Sequence, residues 1–159
     1  MATVSFEAAD SASVSDLQVD DLERCADVTE KHQRVADYLE SHQYDALLLQ
    51  SPRNFAWFTS GGMNTWGGGC ESIASLFITA EARVVITTNA DSARLFEREL
   101  PQLGFQLKER PWHEPRDGMC HDLCRGRTVV SDTGFGQTRN VSAEVDTLRL
   151  PLTELERTR

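Results

Sequence analysis

The sequence predicts a three-layer α/β/α domain built on a mixed five-stranded sheet. Helical stripes alternate along the chain with short, apolar, β-rich runs, the pattern of helices covering a largely buried sheet. Two of those runs, IASLFIT and RVVITT, are separated only by Ala80-Glu81-Ala82. That is the spacing of a hairpin, and it makes one strand antiparallel. The chain has 159 residues, of which 40% are hydrophobic and 26% charged, enough for one core and too few for two full domains.

Taken in order, DVTEKHQRVADYLESHQ carries Val35, Tyr38 and Leu39 on one helical stripe, with Asp27 and Glu30 near its start. DALLLQ (45–50) is short and continuously apolar, which suits a strand buried on both faces. Pro52 then opens a short helix through Phe58. After the hairpin, DSARLFEREL begins at Asp91 as N-cap and stops at Pro101. GFQLKER alternates as a strand. EPRDGMCHDLCRG is a helix with Pro115 early and Gly126 just past its end, RTVVSD is the fifth strand, and a last helix starts near Thr153.

Charge narrows the partners. The net charge is −9, and residues 1–30 hold eight acids against Arg24 alone, so the remaining body is nearly neutral. Such a chain repels phosphate backbones, which argues against nucleic acid. Residues 1–26 read as a flexible acidic arm with few groups to bury. MATVSFEAADSASVSD lacks the basic segment and apolar stretch of a signal peptide, and nowhere do eighteen apolar residues run together, so no membrane partner is expected. The four cysteines, Cys25, Cys70, Cys120 and Cys124, are sparse and irregular, unlike a disulfide framework, and fit a reducing cytoplasm.

Several constellations invite chemistry. Cys120 and Cys124 share a helix face, but His121 is turned about 100° away, so the three do not converge on one ion. With Met119 and Leu123 beside them, the thiols read as small hydrophobes in the core. Gly67, Gly68 and Gly69 lack the Gly-Lys-Ser/Thr ending of a phosphate loop and read as a flexible loop. Asp45, Glu97 or Glu99, and Asp132 are the acids a carboxylate nuclease would have to gather, yet Asp45 begins one strand and Asp132 ends another, at opposite edges of a parallel pair. His32 and His42 read as solvated helix residues, and Thr59 and Ser60 as turn formers. Neither a catalytic residue nor a metal ligand emerges.

Trp57 and Phe58 read as packing at the sheet edge. Trp66, among glycines in GGMNTWGGGCES, reads either as a contact residue on a loop or as a ring folded back on its own domain.

KHQRVADYLESHQYDALLLQSPRNFAWFTSG resembles the opening of the creatinase/prolidase N-terminal domain. Tyr44 to Leu49 matches that family's "glDallv" strand, Asn54 the "N" of "p.Ni", and Trp57-Phe58-Thr59-Ser60-Gly61 its "YlTG" turn. ASLFIT and RVVITT fall where the family has its "llvt…p.lltd" strands, and PLTELERTR looks like the "s.eEi..iR" helix. The resemblance covers roughly residues 30–159 and implies an RNase-H-like motif in the sheet.

It also implies a division into the arm (1–26), the creatinase/prolidase N-terminal-like domain (27–150) and the start of a linker helix (151–159) to a C-terminal "pita-bread" domain. In Xaa-Pro aminopeptidases and prolidases that second domain carries two Asp, one His and two Glu around two divalent metals, whereas creatinase shares the fold without metal. The implied function is that of a non-catalytic domain of a cytoplasmic, homodimeric hydrolase, shaping access to the active site and supporting assembly. The alternative is a free-standing binding module with the same fold. The loop Gly62 to Glu71 matches the family segment that approaches a neighbouring subunit, which points to Trp66, with Asn64 as a polar contact, as substrate- or partner-facing residues.

Overall fold

The computed structural model describes residues 11–67, 69 and 71–158, with residues 11–19 described by backbone alone. A long helix, α1 (Ser11–His42), leads into β1 (Ala46–Leu49), α2 (Pro52–Phe58), and the strands β2 (Ser75–Ile78) and β3 (Arg83–Thr88). One α-turn, α3 (Ser92–Arg94), continues as a π-helical turn over Leu95–Glu99. Then come β4 (Gln106–Arg110), α4 (Asp117–Cys124), β5 (Val129–Ser131), β6 (Arg139–Asn140), α5 (Ser142–Arg149) and α6 (Glu154–Thr158).

The sheet is mixed, in the order β4-β3-β2-β1-β5-β6. β2 pairs antiparallel with both β1 and β3, while β1·β5, β3·β4 and β5·β6 are parallel. β1 alternates between two cores. Leu47 and Leu49 pack with Val35, Leu39, Phe55, Phe58 and Val145 on the side of α1, α2 and α5. Ala46 and Leu48 pack with Phe77, Ile86, Met119 and Cys120 beneath α4. A four-residue run that is apolar at every position is therefore buried on both faces, because a period of two sends neighbours to opposite sides.

The expected order of elements holds, with three differences. The first is the arm. The helix begins at Ser11 rather than near residue 27, and Arg24 in it donates to Thr59 O (3.2 Å) and Glu99 O (2.8 Å). Those carbonyls end α2 and the π turn, so Arg24 caps two helices at once. Cys25 packs against the main core. The stretch from Arg24 onward is part of the folded domain despite its acidic composition; residues 1–10 lie outside the described residues.

The second difference is α5, where a helix follows Asn140, whose Oδ1 accepts from Ser142 N (2.9 Å). The third is β6, a two-residue sixth strand too short to show periodicity.

Asp132 fixes how α2 leaves the sheet. Its carboxylate accepts from Gln50 N (2.8 Å), Ser51 N (3.1 Å), Ser51 Oγ (2.8 Å) and Asn54 Nδ2 (2.8 Å). Ser51 is in turn the N-cap of α2. The end of β5 is thus pinned to the start of α2 by one buried acid, and Arg149 NH1 adds a bond to Asn54 Oδ1 (3.2 Å).

Candidate functional site: the Trp66 loop

α2 ends in the turn Thr59-Ser60-Gly61. Ser60 and Gly61 both take positive φ, +57° and +99°, and the second is a value that glycine accepts without strain. Thr59 Oγ1 donates to Phe55 O (2.8 Å) and accepts from Gly62 N (3.1 Å), the turn role expected of it. A Cβ at Gly62 would lie 2.6 Å from Thr59 Oγ1, so the tight exit requires glycine. Trp57 and Phe58 are buried, as the packing reading expects.

The loop that follows is held from beneath. Met63 N donates to Glu99 Oε2 (2.8 Å), and Arg94 NH2 donates to Thr65 O (3.3 Å). Thr65 bridges Ser72 antiparallel, and Ile73 N donates to Asn64 O (2.7 Å), closing the loop at its base. Arg116 NH1 reaches Ser72 O at 2.7 Å from the start of α4. The π turn matters to this arrangement. It sets Arg94 and Glu99 so that both meet the loop and pair with each other at 3.5 Å. Single π turns of this kind are frequent at functional sites.

Trp66 sits on the outside of this frame. Its Nε1 donates to Asp91 Oδ1 (2.8 Å), and the Arg94 guanidinium lies 4.6 Å from the ring centroid. The ring remains 57% exposed. It is thus held to its own domain along one edge and one face and presents the rest to solvent. With Trp112, itself exposed, it borders a depression of about 460 Å³ whose rim also carries Glu71, Asp91 and Arg116.

Asn64 departs from the expectation of an outward contact. It is 1% exposed, and its Nδ2 donates to Ser72 Oγ (2.8 Å) and Ala74 O (2.9 Å), so it ties the loop's two arms together. Asp91 departs from its expected role as well. Its carboxylate binds Trp66 and Thr88 Oγ1 (3.3 Å) and makes no cap to α3. Composition alone does not reveal Trp112, Arg94 and Arg116 as parts of this surface; only the loop's return across β3 and α4 gathers them.

The other constellations separate. Cys120 is buried and Cys124 half-buried among Met119 and Leu123, and burial pushes the Cys120 thiol up to about 11, so it stays protonated. His121 turns instead to Phe135, with ring centroids 4.6 Å apart. Among the described residues no three of His, Cys, Asp and Glu are grouped to hold a metal ion, and no helix is long and apolar enough to cross a membrane. Asp45 and Asp132 lie at opposite ends of the parallel β1·β5 pair, one bonding Thr128 N and the other the start of α2. His32 is not simply solvated: it is half-buried, hydrogen-bonded to Thr79 O (2.8 Å) and edge-on to Phe58. His42, exposed, stacks on Tyr44.

No family model matches the sequence, and no curated protein resembles it closely enough in sequence to count as a relative. Solved structures do match. A Xaa-Pro dipeptidase from Bacillus anthracis superposes with a TM-score of 0.60 at 12% identity, over 82% of this chain and 38% of that one. A prolidase from Pyrococcus horikoshii gives 0.56 at 13%, over 81% and 37%. The creatinase/prolidase N-terminal domain of an X-Pro dipeptidase from Streptococcus pyogenes gives 0.53 at 12%, over 74% of this chain and 98% of that domain. The chain therefore spans well under half of the dipeptidase and prolidase chains and nearly all of the isolated domain. Its fold is that of the creatinase/prolidase N-terminal domain.

Proposed function

We propose that this chain is the non-catalytic N-terminal domain of a cytoplasmic Xaa-Pro-peptidase-like hydrolase, shaping access to an active site that a pita-bread domain supplies and supporting a homodimer. The observation that carries the reading is the pairing of matches: 98% of a solved N-terminal domain, against 38% of a whole dipeptidase.

The Trp66 loop gives the reading a physical form. Its base is fixed by Asn64, Arg94 and Arg116, while the outer face of Trp66 stays open beside Trp112. An aromatic on a braced loop offers contact area at little entropic cost, which suits a rim facing substrate or a second subunit. Two divalent metals, if the hydrolase is peptidase-like, belong to the other domain.

The chain alone is then inert toward Xaa-Pro dipeptides, even with excess Mn²⁺ or Zn²⁺, and sediments as a dimer. Turnover by the purified chain, lost on chelation and restored by metal, would place the chemistry here and overturn the reading.

A further inference from the structure

We propose that the start of α6 is a latch, docked through Lys31, that releases while the sheet stays intact. Lys31 is 1% exposed, and its three ammonium protons meet three acceptors on three elements. Asp27 Oδ2 on α1 lies at 2.7 Å, Trp57 O in the last turn of α2 at 2.8 Å, and Glu156 Oε1 on α6 at 2.8 Å. The first two hold the lysine in place whether or not the third is present.

Glu156 has a second role. Its Oε2 accepts from Thr153 N (3.0 Å), and Thr153 Oγ1 accepts from Glu156 N (3.3 Å). This is a reciprocal capping box, which closes the first turn of α6. One carboxylate therefore both forms the helix and docks it.

Leu155, half-buried, lines the cavities on either side of α6, and Arg34 of α1 donates to Pro151 O just ahead of it. Over Glu154–Thr158 none of its residues is fully buried, while Thr153 at its entrance is enclosed. Cavities of about 370 Å³ and 240 Å³ flank it, the first against Glu23 and Asp27 of α1, the second against Trp57 and Gly61. The chain enters it through Leu150 and Leu152, both exposed. An element with polar anchoring and sparse apolar contact belongs to the low-stability end of a fold. Its release joins the two cavities into one groove along α1 and bares Trp57, whose carbonyl sits just before the turn that starts the Trp66 loop.

Hydrogen exchange on the full chain tests this with Glu156→Gln. Glutamine retains the capping box, so a change reports the lost ion pair. Amides 154–158 are expected to exchange about tenfold faster or more, with those of β1 unchanged. Lys31→Met should reproduce the pattern, and if that variant does not fold, Glu156→Gln decides alone. As a second readout, Trp66→Phe with Trp112→Phe leaves Trp57 as the sole tryptophan, and its quenching by acrylamide should rise when Glu156→Gln is added. Unchanged exchange in 154–158, acceleration of β1 in step with it, or unchanged quenching would overturn the proposal.

Discussion

Trp66 donates its indole N–H to Asp91 Oδ1 across 2.8 Å, and the carboxylate that holds the ring is thereby withdrawn from the first turn of α3. The loop and the helix compete for one side chain, and the loop takes it. Arg94, one turn on, completes the hold by covering the ring's face.

From that geometry, Trp66→Ala costs about 1–2 kcal/mol, the sum of one hydrogen bond and one exposed cation–π contact. Urea denaturation measures it. A loss of about 3 kcal/mol or more is the mark of a core aromatic and would remove the ring from any contact role. Asp91→Ala should blunt the effect of Trp66→Ala in a double-mutant cycle, since the two share a bond.

The parts of the fold that were legible in the sequence share a cause. β1, the β2–β3 hairpin and α2 are specified by their own residues: an apolar run, a three-residue connection, and a Ser-Pro start. What was not legible depends on residues distant in sequence. Arg24 stands in an acidic stretch whose composition argues for a mobile arm, and only carbonyls at Thr59 and Glu99 give it a reason to dock. Likewise Asn64 looks like a free polar group on a glycine loop until Ser72 and Ala74 are brought beneath it. Trp66 was legible as a candidate because a lone aromatic among glycines is conspicuous, whereas its braces, Asp91 and Arg94, come from the distant segment that opens α3.

Asp132 supplies the next prediction. Replacing it with alanine leaves Gln50 N, Ser51 N and Asn54 Nδ2 without their shared acceptor, at a cost of about 2–4 kcal/mol, while Asn54→Ala costs about 1–2. Thermal melts of both variants check the order. An Asp132→Ala cost below that of Asn54→Ala would show that water replaces the carboxylate and that it does not position α2.

Cysteine reactivity follows from burial. With the Cys120 thiol pushed up to about 11 by desolvation and enclosed beneath α4, alkylation at pH 8 should be slow in the folded protein and become fast in denaturant. Mass spectrometry of peptides containing Cys120 reads the ratio. Labelling of Cys120 as fast as that of an unfolded control would mean that α4 opens readily and that the thiol is available for chemistry.

Acid provides the last prediction, and its sign follows from Glu156. Burial works against the charged carboxylate, but the hydrogen bond from Lys31, the N–H of Thr153 and the nearby ammonium charge outweigh it, and Asp27 opposes them less strongly; the net effect lowers its pKa. A depressed carboxylate stabilises the folded state fully above its ordinary value, near 4.5, and loses that contribution as pH falls through the lower folded value. The groups facing it are Lys31 and Asp27 from α1 and Arg149 from α5, with Glu23, Glu30 and Glu154 at the rim of the adjoining cavity. Protonation of Glu156 removes its half of the pair. Quenching of Trp57, with the other two tryptophans replaced by Phe, should therefore be constant from pH 7 to 5 and rise below about 4.5, before the sheet unfolds. In Glu156→Gln the rise should be absent because the latch is already open at neutral pH. A rise of equal size in both proteins would assign the acid transition to Asp27 or another carboxylate and detach it from α6.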